Sequence, residues 1–176
     1  MCTDRPSHSM VCGHASGLYS GTGPLCNCGN RGCLEAVASS SAILARVHQL
    51  LAANVYSTLR DSAEKALTLD GVCAAAVAGD KLANMVVAEA EESIGIGVAS
   101  LINIFDPGTV ILAGSVIESF RDVIIEGVQR IVRRRALHTI TQRTAIVKSE
   151  FDANTAALGA ATMTIERFLD NEILNL

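Results

Sequence analysis

The sequence predicts an α/β fold in which helices outnumber strands. Two short, apolar and β-branched runs, residues 109–112 and 144–148, indicate strands, and each is followed by a stretch with helical spacing. The order strand, helix, strand, helix is typical of a right-handed parallel unit. Hydrophobic residues make up 49% of the 176 residues and charged residues only 18%, which indicates a folded domain with a real core.

The helices are predicted from apolar spacing and from the residues that begin and end helices. Apolar residues at helical spacing indicate helices over residues 35–53, 62–67, 70–79, 81–104, 117–134 and 153–169. Asp70 is the predicted N-cap of the third helix, and Gly79 its end. Gly95 and Gly97 are expected to let another backbone approach the long helix closely, and Asp106 and Pro107 end that helix.

Composition excludes several classes of function. A net charge of −4 and a pI near 5.5 argue against a nucleic-acid surface, and aromatic residues are scarce at 3%. The longest apolar region, residues 85–105, contains Glu89, Glu91 and Glu92, so it predicts a buried helix and no membrane span. No secretory leader is recognised, and the unpaired thiols suit a reducing cytoplasm.

Three cysteines close together predict a metal site. Cys26, Cys28 and Cys33 fall within eight residues, and the glycines and asparagines between them allow a sharp bend. Zinc takes four ligands in a tetrahedron, and His14 is the candidate fourth; a closed Cys₃His set is typical of structural zinc. A disulfide would strain Cys26 and Cys28 or leave one thiol over. Free thiols in a loop are the other alternative.

Residues 26–35, Cys-Asn-Cys-Gly-Asn-Arg-Gly-Cys-Leu-Glu, resemble the signature of the ROK family of sugar kinases and sugar-responsive repressors. The resemblance continues to about residue 169. It implies that His14, Cys26, Cys28 and Cys33 hold zinc. It also implies that Glu35 beside the metal loop contacts a sugar hydroxyl, with His14 next to the same pocket. From the helix alone, Glu35 would only stabilise a helix N-terminus.

The resemblance implies the fold in more detail and also shows a departure. The implied fold is the helix-rich C-terminal lobe of the actin-like, ribonuclease-H-like ATPases, with a zinc-binding loop, over residues 26–176. Residues 1–25 form an irregular N-terminal segment. The family carries Gly-Glu-x-Gly-His there, but Val11 stands where the second sugar-binding glutamate is expected.

A glycine turn joins the first predicted strand to the next helix. Ala113, Gly114 and Ser115 form this turn, and free N–H groups at such a helix start favour phosphate. In the family the matching stretch borders the nucleotide, so Gly114 and Ser115 are candidate nucleotide-binding residues. Ser115 replaces the usual second glycine, which suits a lost nucleotide site as well as a working one.

The resemblance leaves two functions to separate. A ROK kinase needs an Asp-x-Gly-Gly-Thr phosphate loop and a catalytic aspartate, and a ROK repressor needs a winged helix-turn-helix. These residues contain none of those motifs, so no catalytic residue is predicted. The favoured interpretation is the sugar-sensing and oligomerisation part of a repressor, braced by structural zinc. It would bind a small sugar or sugar phosphate, form a homo-oligomer, and reach DNA only through an N-terminal domain outside these residues.

The alternative interpretation is the C-terminal half of a ROK sugar kinase similar to a glucokinase or an N-acetylmannosamine kinase. Such an enzyme would phosphorylate a hexose with ATP and Mg²⁺. A fragment that retains only the zinc fold, without a function of its own, is a third alternative.

Overall fold

The computed structural model describes residues 23–60, 67–150 and 155–173. His14, most of the segment 1–25 and most of the predicted helix 62–67 lie outside these described residues. The helices are α1 (Leu34–Ala38), α2 (Ser40–Ala52), α3 (Leu69–Val77), α4 (Lys81–Phe105), α5 (Ser115–Arg135), α6 (His138–Thr141) and α7 (Thr155–Ile173). The strands are β1 (Thr109–Leu112) and β2 (Ala145–Lys148). The described chain is therefore α/β and rich in helix.

The long helix α4 is the centre of the fold and contacts α1, α2, α3 and α5. Its observed bounds agree with the prediction to within one residue at the C-terminal end. The prediction is this close because the apolar period is sustained over about seven turns. The Asp80 carboxylate begins the helix by accepting a hydrogen bond from the Ala83 N–H at 2.9 Å. Asp106 ends it in the left-handed conformation, with φ of 47°. No helix of the described part has the length and hydropathy to cross a membrane.

The prediction of one continuous helix over residues 35–53 is wrong at Ser39. Ser39 is extended, with ψ of 164°, and it separates α1 from α2. Its hydroxyl accepts a hydrogen bond from the Ala42 N–H at 3.2 Å and so caps α2. A serine side chain competes with the backbone for such bonds, which explains why the helix restarts there.

The cap of α3 also differs from the prediction. Thr68, and not Asp70, is the N-cap, and its hydroxyl accepts from the Gly71 N–H at 3.1 Å. Asp70 lies in the first turn, where its charge still favours the helix N-terminus. The helix ends before Gly79, whose φ of 89° stops it as expected.

The two strands form a parallel sheet, as predicted. Ile111 of β1 pairs with Val147 of β2, and α5 provides most of the connection between the strands. Val110, Leu112 and Ile146 pack against the core from one face. The prediction that residues 109–112 form a buried strand is wrong, because Val110 and Leu112 are only partly buried and Ile111 is 64% exposed.

The expected close approach of another backbone to the two glycines of α4 is wrong, because the nearest atoms among the described residues belong to side chains. A Cβ on Gly95 would lie 2.6 Å from Ile131 Cγ2 of α5. A Cβ on Gly97 would lie 3.7 Å from Leu34 Cδ2 of α1, an ordinary contact distance. Gly95 is therefore the position where α4 and α5 need a residue without a side chain.

A buried carboxylate lies between α4 and α5. The Glu91 side chain is 9% exposed and rests over Gly127, where a Cβ would overlap its carboxylate. Arg130 donates to it at 2.8 Å from a position that is 58% exposed. Burial raises the pKa of the Glu91 carboxyl, and the Arg130 charge only partly offsets the shift.

The last helix leaves its described side chains in solvent. Residues 158–168 of α7 are exposed, among them Leu158, Ile165 and Phe168. The small residues 159–161 of this helix are also exposed. An apolar helix surface and an apolar sheet face are therefore both open in this chain.

Candidate functional site

The loop before α1 brings the three clustered cysteines together. The sulfurs of Cys26, Cys28 and Cys33 all lie within 4.8 Å of one another, and the Cys28 and Cys33 sulfurs are 3.5 Å apart. All three are free thiols. Cys26 and Cys33 are buried, whereas Cys28 is exposed, so the cluster opens to solvent on the Cys28 side.

Backbone hydrogen bonds fold the loop into this shape. The Cys26 N–H donates to the Asn30 carbonyl at 2.7 Å, and the Gly29 N–H donates to the Cys26 carbonyl at 2.9 Å. The Gly32 N–H donates to the Pro24 carbonyl at 3.0 Å. Gly29 and Gly32 have φ values of 88° and 68°, which other residues adopt only with strain. The glycines are thus needed for the cysteines to converge.

The sulfur geometry fits a tetrahedral zinc ion. Zn–S bonds of about 2.3 Å place two ligand sulfurs about 3.8 Å apart, close to the spacing seen here. The three sulfurs supply three ligands, and His14, the candidate fourth, lies outside the described residues. The disulfide alternative is not supported, since the chain holds all three cysteines as thiols within reach of one centre.

The pKa values of the Cys33 and Cys28 thiols are shifted in opposite directions. Burial, followed by the contacts with Cys28 and Cys26, raises the pKa of the Cys33 thiol to about 12. A backbone hydrogen bond at Asn30 is the main cause that lowers the pKa of the Cys28 thiol. A metal that binds thiolates must displace these protons, and Cys28 gives up its proton more readily than Cys33 does.

Glu35 lies beside the cysteine cluster. It is in the first turn of α1, whose N-cap is Cys33, and its Oε2 is 4.0 Å from the Cys26 sulfur. The side chain is partly buried. The loop and the helix start together hold the carboxylate at the edge of the sulfur cluster, the place that the sequence pattern predicts for it.

The glycine turn lies against the start of α2. The Ser115 hydroxyl at the start of α5 is 2.6 Å from the Ser40 hydroxyl at the start of α2. Gly114, the N-cap of α5, has φ of 110°, which favours glycine. Sequence reasoning missed Ser40, because the 75-residue separation of the two serines leaves no local signal. The triple serine at 39–41 was the only hint.

Negative charge is already present at this helix start. Glu118 lies in the first turn of α5, and its Oε1 is buried with no hydrogen-bond partner among the described residues. Two helix N-termini attract anions through their free N–H groups. The Glu118 carboxylate is such an anion within the chain itself, so it would compete with a phosphate for the start of α5.

The fold and the sulfur-rich loop define a member of the ROK family, since residues 9–167 match that family. The chain has the fold class of the ROK kinases and regulators, the actin-like ATPase fold, here helix-rich with a small sheet. The resemblance seen in residues 26–35 is thereby confirmed.

Regulators and an enzyme of this family are similar to the chain. The DNA-binding transcriptional dual regulator NagC of Escherichia coli K12 is 33% identical over 154 residues, which are 86% of this chain and 36% of that regulator. A solved ROK family transcriptional regulator, a homologue of the E. coli Mlc protein, superimposes with a TM-score of 0.67 at 32% identity, over 75% of this chain and 33% of its own. The ROK hexokinase from Thermus thermophilus gives a TM-score of 0.61 at 29% identity, over 81% of this chain and 45% of its own. The chain thus spans about a third of the length of the regulators that it matches.

Proposed function

We propose that this chain is the sugar-sensing and oligomerisation part of a ROK-family transcriptional repressor, a C-terminal lobe stabilised by zinc. The observation that carries the proposal is the 33% identity to NagC across 86% of the chain, a span that includes most of the candidate site. In this proposal, a helix-turn-helix outside the 176 residues contacts the DNA. A cytoplasmic location follows from the same role.

Zinc is proposed to brace the loop through Cys26, Cys28, Cys33 and His14. When bound, it would replace thiol protons by four metal–ligand bonds and stiffen the turn. Cys33 is also the N-cap of α1, so a bond at its sulfur restrains the helix that carries Glu35. The metal has a structural role in this proposal, because a Cys₃His set leaves no open position for substrate.

Glu35 is proposed to bind hydroxyls of a sugar or sugar phosphate. An ionised carboxylate forms charge-assisted hydrogen bonds, each worth about 1.5–3 kcal/mol. Val11 replaces the second glutamate of the family pattern, and an opposing lobe is not included in these residues. We therefore expect weak binding, on the order of 1 mM or −4 kcal/mol.

Oligomerisation is supported by the apolar surfaces that this chain leaves open. The outer sheet face presents Ile111 and Val147, and α7 presents Leu158, Ile165 and Phe168. Parallel sheets are normally covered on both faces. A self-association that covers these surfaces is consistent with the proposed repressor part.

A sugar kinase is the second candidate, favoured by the likeness to the Thermus thermophilus ROK hexokinase. In that case ATP and Mg²⁺ would lie at the Gly114–Ser115 turn, and the phosphate loop and catalytic base would come from another lobe. Against it, the Ser115 hydroxyl is engaged by Ser40, and Glu118 adds negative charge to the same helix start.

Ligand-observed NMR with the 176-residue chain distinguishes the two candidates. N-acetylglucosamine, N-acetylmannosamine and glucose would be titrated separately, and ATP with Mg²⁺ in parallel. The repressor proposal expects a sugar signal that Glu35→Gln abolishes and Glu118→Gln retains, with no ATP signal. An ATP signal that Ser115→Ala alters would favour the kinase. Micromolar sugar binding that persists in Glu35→Gln would show that the sugar site lies elsewhere.

A further inference from the structure

A cavity lies at the C-terminal end of α5, away from the cysteine loop. Its volume is about 490 Å³, within the range of about 300–1,000 Å³ that is usual for small-molecule sites. It is lined by Ile102, Gln129, Val132, Arg133, His138, Thr141, Gln142, Thr144 and Ile146. Gln129 and Ser115 lie on opposite sides of a kink in α5 at Arg121, whose φ is 48°, so this is a separate place in the fold.

The floor of this cavity is apolar. Ile102 of α4 is fully buried and Val132 of α5 is 2% exposed. Ile146 of β2 is partly buried and packs against the same core. These side chains are held by the core, so the floor is preformed and suits an apolar group.

The rim carries an arginine that is held in place without a carboxylate. Arg133 Nη2 donates to Gln129 Oε1 at 3.4 Å, and Gln129 Nε2 donates to the Ile146 carbonyl at 3.1 Å. The neighbouring Arg130 and Arg135 pair with glutamates of α4, whereas Arg133 has no ion pair in the described part of the chain. A guanidinium has five N–H donors, and most of those on Arg133 are available.

Other polar groups complete the rim. The His138 Nε2 and Gln142 Nε2 atoms are 3.1 Å apart, which places an imidazole and an amide at one side. The Thr141 hydroxyl donates to the His138 carbonyl, and the Thr144 hydroxyl is engaged by backbone carbonyls. Among the described residues that line the cavity there is no aspartate or glutamate. The free donors therefore favour an anion.

We propose that this cavity, the α5 pocket, binds a small carboxylic acid with an apolar body. The planar guanidinium of Arg133 matches a carboxylate with two parallel hydrogen bonds, and the apolar body covers the floor. Inorganic phosphate would satisfy the rim and leave the floor uncovered. A neutral analogue would cover the floor and leave Arg133 unpaired. Both are therefore expected to bind less well.

Titration of the chain by ¹H–¹⁵N NMR tests the proposal, with benzoate as the probe and benzamide and inorganic phosphate as comparisons. Benzoate should shift the amide signals of Arg133, His138 and Gln142, with a Kd in the low millimolar range or below. Arg133→Gln should weaken benzoate binding by about 10- to 100-fold, since it removes a charged hydrogen-bonding group. Arg134→Gln is the matched control, because Arg134 is an exposed neighbour that does not line the pocket. This control should bind benzoate normally.

Four results would overturn the proposal. The first is that benzoate does not shift the amide signals of the pocket, and the second is that the Arg133 and Arg134 variants lose benzoate affinity equally. The third and fourth are that benzamide, or inorganic phosphate, binds as tightly as benzoate. Arg133 is exposed, so its substitution is expected to leave the melting temperature within about 2 °C of the parent. A binding loss measured at unchanged stability then reports on the pocket.

Discussion

Replacing Asp80 with alanine is expected to lower the free energy of unfolding by about 2–3 kcal/mol. Its carboxylate, 9% exposed, accepts from Ser57 Oγ at 3.0 Å, Thr58 N at 2.7 Å, Thr58 Oγ1 at 3.0 Å and Ala83 N at 2.9 Å. Loss of the N-cap contributes about 1 kcal/mol, and the buried Ser57 hydroxyl left without its acceptor contributes about 1–2 kcal/mol, whereas the donors of the exposed Thr58 can turn to water. Asp80 thus joins the segment after α2 to the start of α4.

The conservative variant Asp80→Asn separates these contributions. Asparagine keeps one oxygen for the cap, but its amide group faces donors of Thr58, so a loss of about 1–2 kcal/mol is expected. Lys81→Ala, on the exposed neighbour, is the control and should change stability by less than about 0.5 kcal/mol. Urea unfolding at pH 7 measures all three.

The effect of Asp80 should depend on pH in a definite direction. Burial alone would raise the pKa of this carboxyl, but hydrogen bonds from Ala83, Thr58 and Ser57 outweigh it and hold the pKa below its usual value. Its contribution is therefore complete above the unfolded pKa of about 4 and is lost as the pH falls through the folded pKa. The gap between parent and Asp80→Ala should narrow in acid. A gap below about 1 kcal/mol at pH 7, or one that does not change with pH, would refute this account.

Three further predictions concern the metal, a helix cap and activity. Cys28→Ser should lose the one zinc per chain that elemental analysis is expected to find, whereas Cys73→Ser, outside the cluster, should retain it. Thr68→Ala should cost about 1 kcal/mol in urea unfolding and Asp70→Ala only a few tenths, and the reverse order would contradict the observed cap. The chain alone should not phosphorylate hexoses with Mg-ATP, and turnover in a coupled assay that Glu35→Ala abolishes would contradict this.

Regular elements with strong local signals could be predicted from the sequence. The bounds of α4 are correct to one residue because its apolar period is long and Asp80 and Pro107 mark its ends. The strand 109–112 is correct in its bounds because β-branched residues lie between a proline and a glycine turn. The cysteine cluster was also recognisable, since all three cysteines and the glycines that bend the loop lie within eight residues.

The errors arise where the outcome depends on competing local bonds or distant contacts. Ser39 and Thr68 start helices because their hydroxyls accept backbone N–H groups, and several neighbouring polar residues were equally good candidates. The exposure of Ile111 depends on what covers the sheet, which a strand pattern does not contain. The contact of Ser40 with Ser115 and the α5 pocket join residues that are far apart in sequence.

The position of Glu35 depends on the cysteine loop at one side and on α5 at the other. Cys33 occupies the N-cap position of α1, and Glu35 lies in the first turn of this five-residue helix. Ser39 follows α1 and caps α2. The next residue, Ser40, contacts Ser115 at the start of α5. Because only one short helix separates the cluster from this contact, we expect a change in the loop to move Glu35 and the Ser40 contact together. Metal in the loop and ligand at Glu35 are therefore expected to stabilise the same arrangement, and loss of the metal should weaken sugar binding without any direct contact between the two.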